Sequence, residues 1–407
     1  MNVTGIIAEY NPLHCGHRYH MALSRKETGA DYLIVVMSGD YVQRGEPAVL
    51  DRQLRTRMAL LSGADLVLEL PYPFSCSSAE DFAASGTALL DRLGVVNVLS
   101  FGSESGNLDS LSETARLLSS ETEDFRQELR RALEEGLSFP AARQIALELS
   151  SGNGREPLLL SSPNDILGVE YLRALNRIHS SICPHTVSRA GDGYHEPSVT
   201  AGSFASATAI RRLLKSGDLS HLKQQVPAEI LSLFQNGHFL FPEDCSSLLN
   251  YAILAAGPGG YERFYGFSRE LAGRLTAQAA DGGSWQERIL RLKTRNYTYT
   301  RVSRALLNLM LNLSAGEADT WKAACGPAPF ARILGFRRSA APLLSAIKKK
   351  SSIPVIAKAA DAEKLLSPEA LAMFQKGVLA SQIRTSIAAD KYKTAPVNEY
   401  RRRIEIL

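Results

Sequence analysis

The feature that most constrains the fold is an alternation in the first hundred residues. Short apolar runs at Val3–Ala8, residues 32–37 (YLIVVM), Leu66–Leu70 and residues 95–101 read as buried strands. Between them lie helical patterns at residues 16–29, 51–62 and 79–94, the first stopped by Gly29. Strand, helix, strand, helix predicts a parallel sheet covered on both faces, with right-handed crossovers. The alternation pauses over about 104–150, an acidic, helix-prone insertion. A further helix at 164–177, a strand at 184–189 and a helix at 206–215 follow. The expected architecture is α/β, with a first domain over residues 1–220. Residues 221–407, rich in Leu, Ala, Lys and Arg, read as a second, mainly helical and basic domain with one later strand at 352–357.

Composition excludes several classes. With 407 residues, 45% of them hydrophobic and 22% charged, the chain is neither disordered nor collagen-like. At roughly 100–200 residues per domain, two or three domains are expected. No run reaches the ~18 apolar residues of a membrane span, and the first residues lack the basic and apolar regions of a secretory signal. The five cysteines are scattered and include no CxxC pair, which disfavours a disulfide framework or structural zinc and points to a reducing cytoplasm. A formal charge of +4 allows a polyanionic partner without demanding one.

The densest chemistry lies at NPLHCGHRYH, residues 11–20, where the first strand feeds a turn and the turn a helix. In an open α/β sheet that corner sits at the carboxyl edge, where ligands bind. A helix N-terminus offers unpaired N–H groups and partial positive charge, both suited to phosphate. Gly16 removes a side chain where a nucleotide needs to approach the backbone. His14 and His17, three apart, can face one spot and donate to phosphate oxygens or to charge developing in a transition state. They are the candidate catalytic residues. Three histidines in seven residues also suit a metal, but without a carboxylate or thiolate cluster that reading is weaker, and no metal ligand is assigned. Cys15 reads as a filler position. No GxxxxGK[ST] segment supports a Walker-type site.

HxGH directly after the first strand resembles the hallmark of the HxGH nucleotidyltransferase and class I aminoacyl-tRNA synthetase-like superfamily. That resemblance implies a Rossmann-like domain that attacks the α-phosphate of a nucleoside triphosphate and releases pyrophosphate. A narrower similarity covers most of residues 1–215. GIIAEYNPLHCGHRYH (5–20), VVMSGDYVQRGEPAVLDRQLR (35–55), GADLVLELP (63–71), FGSES (101–105), SSPNDILGVEYLRAL (161–175), RAGDGYH (189–195) and ASATAIR (205–211) resemble the bacterial tRNA(Met) cytidine acetate ligase family. Residues 294–311 and 334–338 agree less sharply. The resemblance implies a ligase that activates acetate with ATP as acetyl-adenylate. Acetyl then passes to N4 of the wobble cytidine of elongator tRNA(Met), giving N4-acetylcytidine. ATP with Mg2+ and acetate are the implied small substrates, and acetyl-CoA is not used.

Carried over from the family pattern, the ATP-binding segment is Ile7, Ala8, Glu9, Tyr10, Asn11, Pro12, Leu13, His14, Cys15, Gly16, His17, Arg18, Tyr19 and His20. Gly102, Asn164 and Arg189 join it, although Gly102 could be a turn residue and Asn164 an N-cap. Ser206, Thr208 and Arg211 resemble the superfamily's second phosphate-binding element, a pattern that an ordinary N-cap also gives. Asp40, Gln43 and Arg44, followed by Asp51, Arg52 and Arg55, lie at the same edge without an assigned role.

RNA binding rests on other residues. Residues 291–304 carry five basic side chains and 332–350 six, with no acid in either run. Lys293, Arg295, Tyr297 and Arg301 are the candidate tRNA-binding residues, with Tyr297 and Tyr299 available for stacking on unpaired bases; the bland alternative is a solvated helix face. Two other functions compete. One is a small-molecule adenylyltransferase of the same superfamily, against which the long basic second half argues. The other is a non-catalytic nucleotide- or RNA-binding module, against which intact His14, Gly16 and His17 argue.

Overall fold

The apolar runs become neighbouring strands because each is buried on both faces, as parallel strands under helices must be. The computed structural model describes residues 1–120, 123–137, 139–150, 162–188, 205–217, 221–235 and 237–407. Its strands are β1 (Val3–Ala8), β2 (Tyr32–Ser38), β3 (Tyr41–Val42), β4 (Glu46–Pro47), β5 (Leu66–Leu70), β6 (Val98–Ser103), β7 (Cys183–Ser188), β8 (Ala331–Phe336), β9 (Val355–Ile356) and β10 (Glu405–Ile406). The first helices are α1 (Cys15–Thr28), α2 (Arg52–Leu61), α3 (Ala79–Arg92), α4 (Leu108–Ser120), α5 (Glu123–Glu134), α6 (Phe139–Ser150), α7 (Pro163–Arg177) and α8 (Ala207–Ser216). α4 to α6 form the expected helical insertion.

The main sheet runs β10-β8-β5-β2-β1-β6-β7, with β9 on β8, and β3 and β4 form a separate hairpin. β5, β2, β1, β6 and β7 are mutually parallel. The chain winds outward from β1 through β2 to β5, then crosses back to β6, so the order reverses between β1 and β6. The alternating side chains of β1 divide between two cores. Val3 and Ile7 face α3, while Ile6 packs with Met21 of α1. α3 comes close because glycines meet it: a Cβ on Gly5 would lie 2.6 Å from Leu90, and one on Gly86 2.7 Å from Ile7.

The sheet does not stop where the composition changes. β8 joins β5 antiparallel, and β9 and β10 flank it. The anticipated strand at 352–357 is thus only the short β9, and β8 carries most of the C-terminal contribution. β6 begins three residues later than its apolar run, after Asn97 has bonded Val3 in both directions. The helical core of the second half also takes in Tyr41, Tyr72 and Phe74 from the first.

A buried ionic cluster joins the halves. Arg52 donates to Glu69 (2.7 Å), Ser381 (2.8 Å) and Glu399; Arg332 donates to Glu69 (3.0 Å) and Glu399 (3.3 Å); Arg384 lies 3.7 Å from Asp40. Burial alone would raise the Asp40 carboxyl, but Arg52 and Arg384 hold it well below the usual carboxylate range. A depressed folded-state pKa contributes stability that is full above the unfolded value of about 4 and is lost as pH falls below it. Asp40→Asn is therefore expected to be less stable at pH 7. It should also lose less further stability between pH 5 and pH 3 than the wild type, as read by urea denaturation at each pH.

Candidate active site at the carboxyl edge of the sheet

After β1 the backbone turns sharply: Tyr10 is left-handed (φ 48°), the Asn11–Pro12 bond is cis, and His14 caps α1. His14 Nδ1 accepts from Gly16 N (3.1 Å), and His17 Nδ1 accepts from His14 N (3.3 Å). This reciprocal capping box sets the ring centroids 3.8 Å apart. With both Nδ1 atoms accepting, each neutral imidazole carries its proton on Nε2, which makes Nε2 the donor atom. Tyr10 meets His17 edge-on at 5.0 Å. The expectation of open N–H groups at this helix start is corrected in part, because Gly16 N is already bonded to the His14 ring.

Other residues fix the corner from behind. The buried Arg55 donates from Nε to Leu50 O (3.0 Å) and from Nη1 to Glu9 O (2.7 Å) and Ser38 O (3.0 Å), and from Nη2 to Gly39 O. Burial lowers its pKa to about 10, which leaves it charged at neutral pH. Asn11 Oδ1 accepts from Val49 N (2.7 Å), and Asn11 O accepts from Arg211 (2.7 Å). Glu9 accepts from Gln43 N (2.7 Å) in the β3–β4 hairpin.

Most of the sequence-predicted residues gather here. Ile6 pairs with Ser100 at the point where strand order reverses, and Gly102, two residues further along β6, pairs with Val187 of β7. Asn164 lies in the first turn of α7, whose N-cap is Ser162, and donates through Nδ2 to Glu104 (2.5 Å). Ser206 caps α8, and Arg211 also donates to Thr208 Oγ1 (3.1 Å). His20 turns inward to Ser100 (3.3 Å), while Arg18 reaches outward to Glu229 (3.3 Å). Cys15 is half-buried, and burial raises its thiol pKa. Arg189 and the RAGDGYH segment lie outside the described residues. No group of three His, Cys, Asp or Glu that could hold a metal ion occurs among the described residues.

Of the residues left open at 40–55, Asp40, Asp51, Arg52 and Arg55 have structural partners. Asp51 caps α2 through Leu54 N (2.9 Å), Arg52 and Asp40 belong to the ionic cluster, and Arg55 pins the strand ends. No local sequence signal distinguishes a buried arginine of this kind from a surface one. The basic runs divide. Lys293, Arg295 and Arg301 are exposed, but Tyr297 is 5% exposed, with its hydroxyl held by Ser268 (2.6 Å) and Glu270 (3.1 Å). Stacking by Tyr297 is corrected accordingly: the ring belongs to the helical core. Arg332 and Arg337 are likewise consumed internally, whereas Lys348, Lys349 and Lys350 are exposed.

A doubly wound sheet with a paired-histidine cap at its reversal point is the site of a nucleotidyltransferase. The family model described as HIGH Nucleotidyl Transferase matches residues 1–399, and the chain belongs to that family. Within it, the similar proteins are ligases. The tRNA(Met) cytidine acetate ligase of Acetivibrio thermocellus is 38% identical over 94% of each chain, and that of Clostridium novyi 35% identical over 98% of this chain and 99% of its own. The apo crystal structure of Thermotoga maritima TmcAL superposes with a TM-score of 0.91 at 30% identity, covering 100% of both chains. The same protein bound with alpha-thio ATP gives 0.86 at 31% identity, covering 99% of this chain and 97% of that one.

Replacing Arg55 with Met leaves three backbone carbonyls at the ends of β1 and β2, and that of Leu50, without their donor. A loss of about 3–5 kcal/mol in urea unfolding is the expected outcome; a loss under 1 kcal/mol would show that the strand ends hold without it.

Proposed function

We propose that this protein is an ATP-dependent tRNA(Met) cytidine acetate ligase. Acetate attacks the α-phosphorus of ATP, pyrophosphate leaves, and acetyl-adenylate forms. The N4 amine of the wobble cytidine of elongator tRNA(Met) then attacks the acyl carbon and AMP leaves, yielding N4-acetylcytidine. Acetyl-CoA takes no part. The carrying observation is the pair of rings at the β1–α1 corner, held in one orientation by their own helix start. Their Nε2 donors suit charge on the α- and β-phosphates in the transition state, and a fixed geometry supplies effective molarity. Mg2+ arrives with the triphosphate as part of the substrate.

Gly102, with no side chain near the end of β6, is assigned to the adenosine, and Ser206, Thr208 and Arg211 to the far phosphates. Arg189 is assigned to the same nucleotide by the family pattern. Exposed Lys293, Arg295 and Arg301 are assigned to the tRNA backbone. A mainly helical second half that shares its sheet and core with the first suits a partner as large as tRNA. The chain acts in the cytoplasm, where charged tRNA pools and ATP coexist.

Incubation with ATP, radiolabelled acetate and total bacterial tRNA, followed by nucleoside analysis, is expected to give labelled N4-acetylcytidine and acetate-dependent pyrophosphate release. Label in another product, or release driven by a different acid, would favour a small-molecule adenylyltransferase. His17→Ala is expected to abolish acetate-dependent ATP–pyrophosphate exchange while costing only about 1 kcal/mol of stability, the scale of a lost cap; exchange at the wild-type rate would refute the role. Replacing Lys293 and Arg295 together with Ala should weaken tRNA binding and flatten its salt dependence, with exchange retained. Parallel loss of both activities would mark this segment as structural.

A further inference from the structure

The nucleotide corner has a neighbour across Arg211. One guanidinium face of Arg211 bonds Asn11 O and Thr208, and the residue also lines a cavity of about 180 Å³ between the β3–β4 hairpin and α8. By this measure a single water needs only about 10–15 Å³, so the cavity admits a group the size of a heterocyclic ring. Its walls at Pro47, Val49, Leu240 and Pro242 are apolar. Its polar groups are mostly committed: Lys215 pairs with Glu243 at 3.0 Å, and Arg211 is held as described. Glu46 differs. Among the described residues no hydrogen bond or ion pair reaches its carboxylate. Burial raises its pKa, with Glu9 and Glu243 adding to the rise and Arg211 and Arg44 opposing it.

An unmatched acceptor in an apolar cleft selects a neutral donor. Lys215 and Arg211 are already bonded, so the open group on this lining is an acceptor, and a ring bearing an exocyclic amine supplies both the flat apolar surface and the N–H. We infer that this cleft receives the nucleobase to be acylated and that the Glu46 carboxylate takes the proton from its amine. The inference rests on the acetyl-transfer reading given above. As the amine nitrogen bonds to the acyl carbon, the acyl carbon–oxygen bond breaks and AMP leaves with that electron pair. The amine proton passes to Glu46 and then to water. The exocyclic amine of cytosine is a weak nucleophile because its lone pair is delocalised into the ring, so removing its proton during attack is where a base has most effect. A carboxyl raised above its ordinary value by burial is a stronger base than an exposed one and better matched to that task. Arg212, exposed at the mouth, is placed for the phosphate next to an extruded base.

The test separates the two half-reactions in the intact protein. Acetate-dependent ATP–pyrophosphate exchange reads the first, and single-turnover transfer from enzyme-bound acetyl-adenylate to tRNA reads the second. Glu46→Gln is expected to keep exchange within about threefold and to slow transfer about a hundredfold or more. Wild-type transfer should rise with pH through an ionisation above the usual carboxylate range, and the variant should lack that rise. Arg212→Glu, a surface change that leaves the fold intact, should raise the tRNA KM about tenfold without altering exchange. Transfer unchanged in Glu46→Gln, exchange and transfer falling together, or an unaltered KM in Arg212→Glu overturns the assignment. A wild type without acetate-dependent exchange overturns the ligase reading itself, a different and separately visible failure.

Discussion

The candidate site depends on one buried cation. Arg55 enters from α2 and spreads its guanidinium over carbonyls that follow β1 and β2, together with that of Leu50. Two parallel strands end there, and the carbonyls of Glu9 and Gly39, which follow them, lie beyond the ladder. Left bare in a dry interior, each would cost roughly 1–3 kcal/mol. One planar group with five N–H donors satisfies them together, which a lysine could not do in a fixed direction. The same cation lies behind the corner that carries His14 and His17. A structural solution for strand ends thus also sets the local potential in favour of anions.

A second constraint ties this edge to the helical half. Gly45, at φ +77°, packs so closely on the helix Tyr299–Met310 that a Cβ would lie 2.5 Å from the backbone nitrogen of Arg304. Ser303 donates to Gly45 O (2.9 Å) and Arg304 to Gln43 O (3.3 Å), while Gln43 N reaches Glu9 (2.7 Å). The hairpin is therefore a three-way junction of nucleotide corner, sheet and helical half. A glycine is required by both the backbone angle and the contact.

The legible parts of the fold were those whose signal is local. β1, β2 and β5 read as strands because burial on both faces leaves an unbroken apolar run, and α1 and α2 were bounded by their caps. β8 was not legible. Its sequence, ARILGF, carries Arg332, and only the partners Glu69 and Glu399, both distant in sequence, make that charge tolerable inside a sheet. Tyr297 misled for the same reason: its neighbours are basic and exposed, but Ser268 and Glu270, nearly thirty residues away, draw it into the core. His14 and His17 could be singled out because a strand-to-helix corner is a local pattern, whereas Gly102 and Arg211 were named only through the family resemblance. Arg55 and Glu46 could not be singled out, since their meaning lies in what surrounds them.

The self-capped start of α1 has a consequence for how an anion enters. His14 Nδ1 occupies Gly16 N–H, the group a phosphate would otherwise meet first. An N-cap bond is worth about 1 kcal/mol, whereas a hydrogen bond to an ionised oxygen is roughly twice as strong as a neutral one. The two energies are close enough that the reciprocal caps, which also set the rings 3.8 Å apart, decide the geometry of the corner. Both Nδ1 atoms are engaged by the backbone, so the same bonds that satisfy the helix start direct the Nε2 donors. Stability of the helix end and orientation of the rings therefore rest on one pair of contacts.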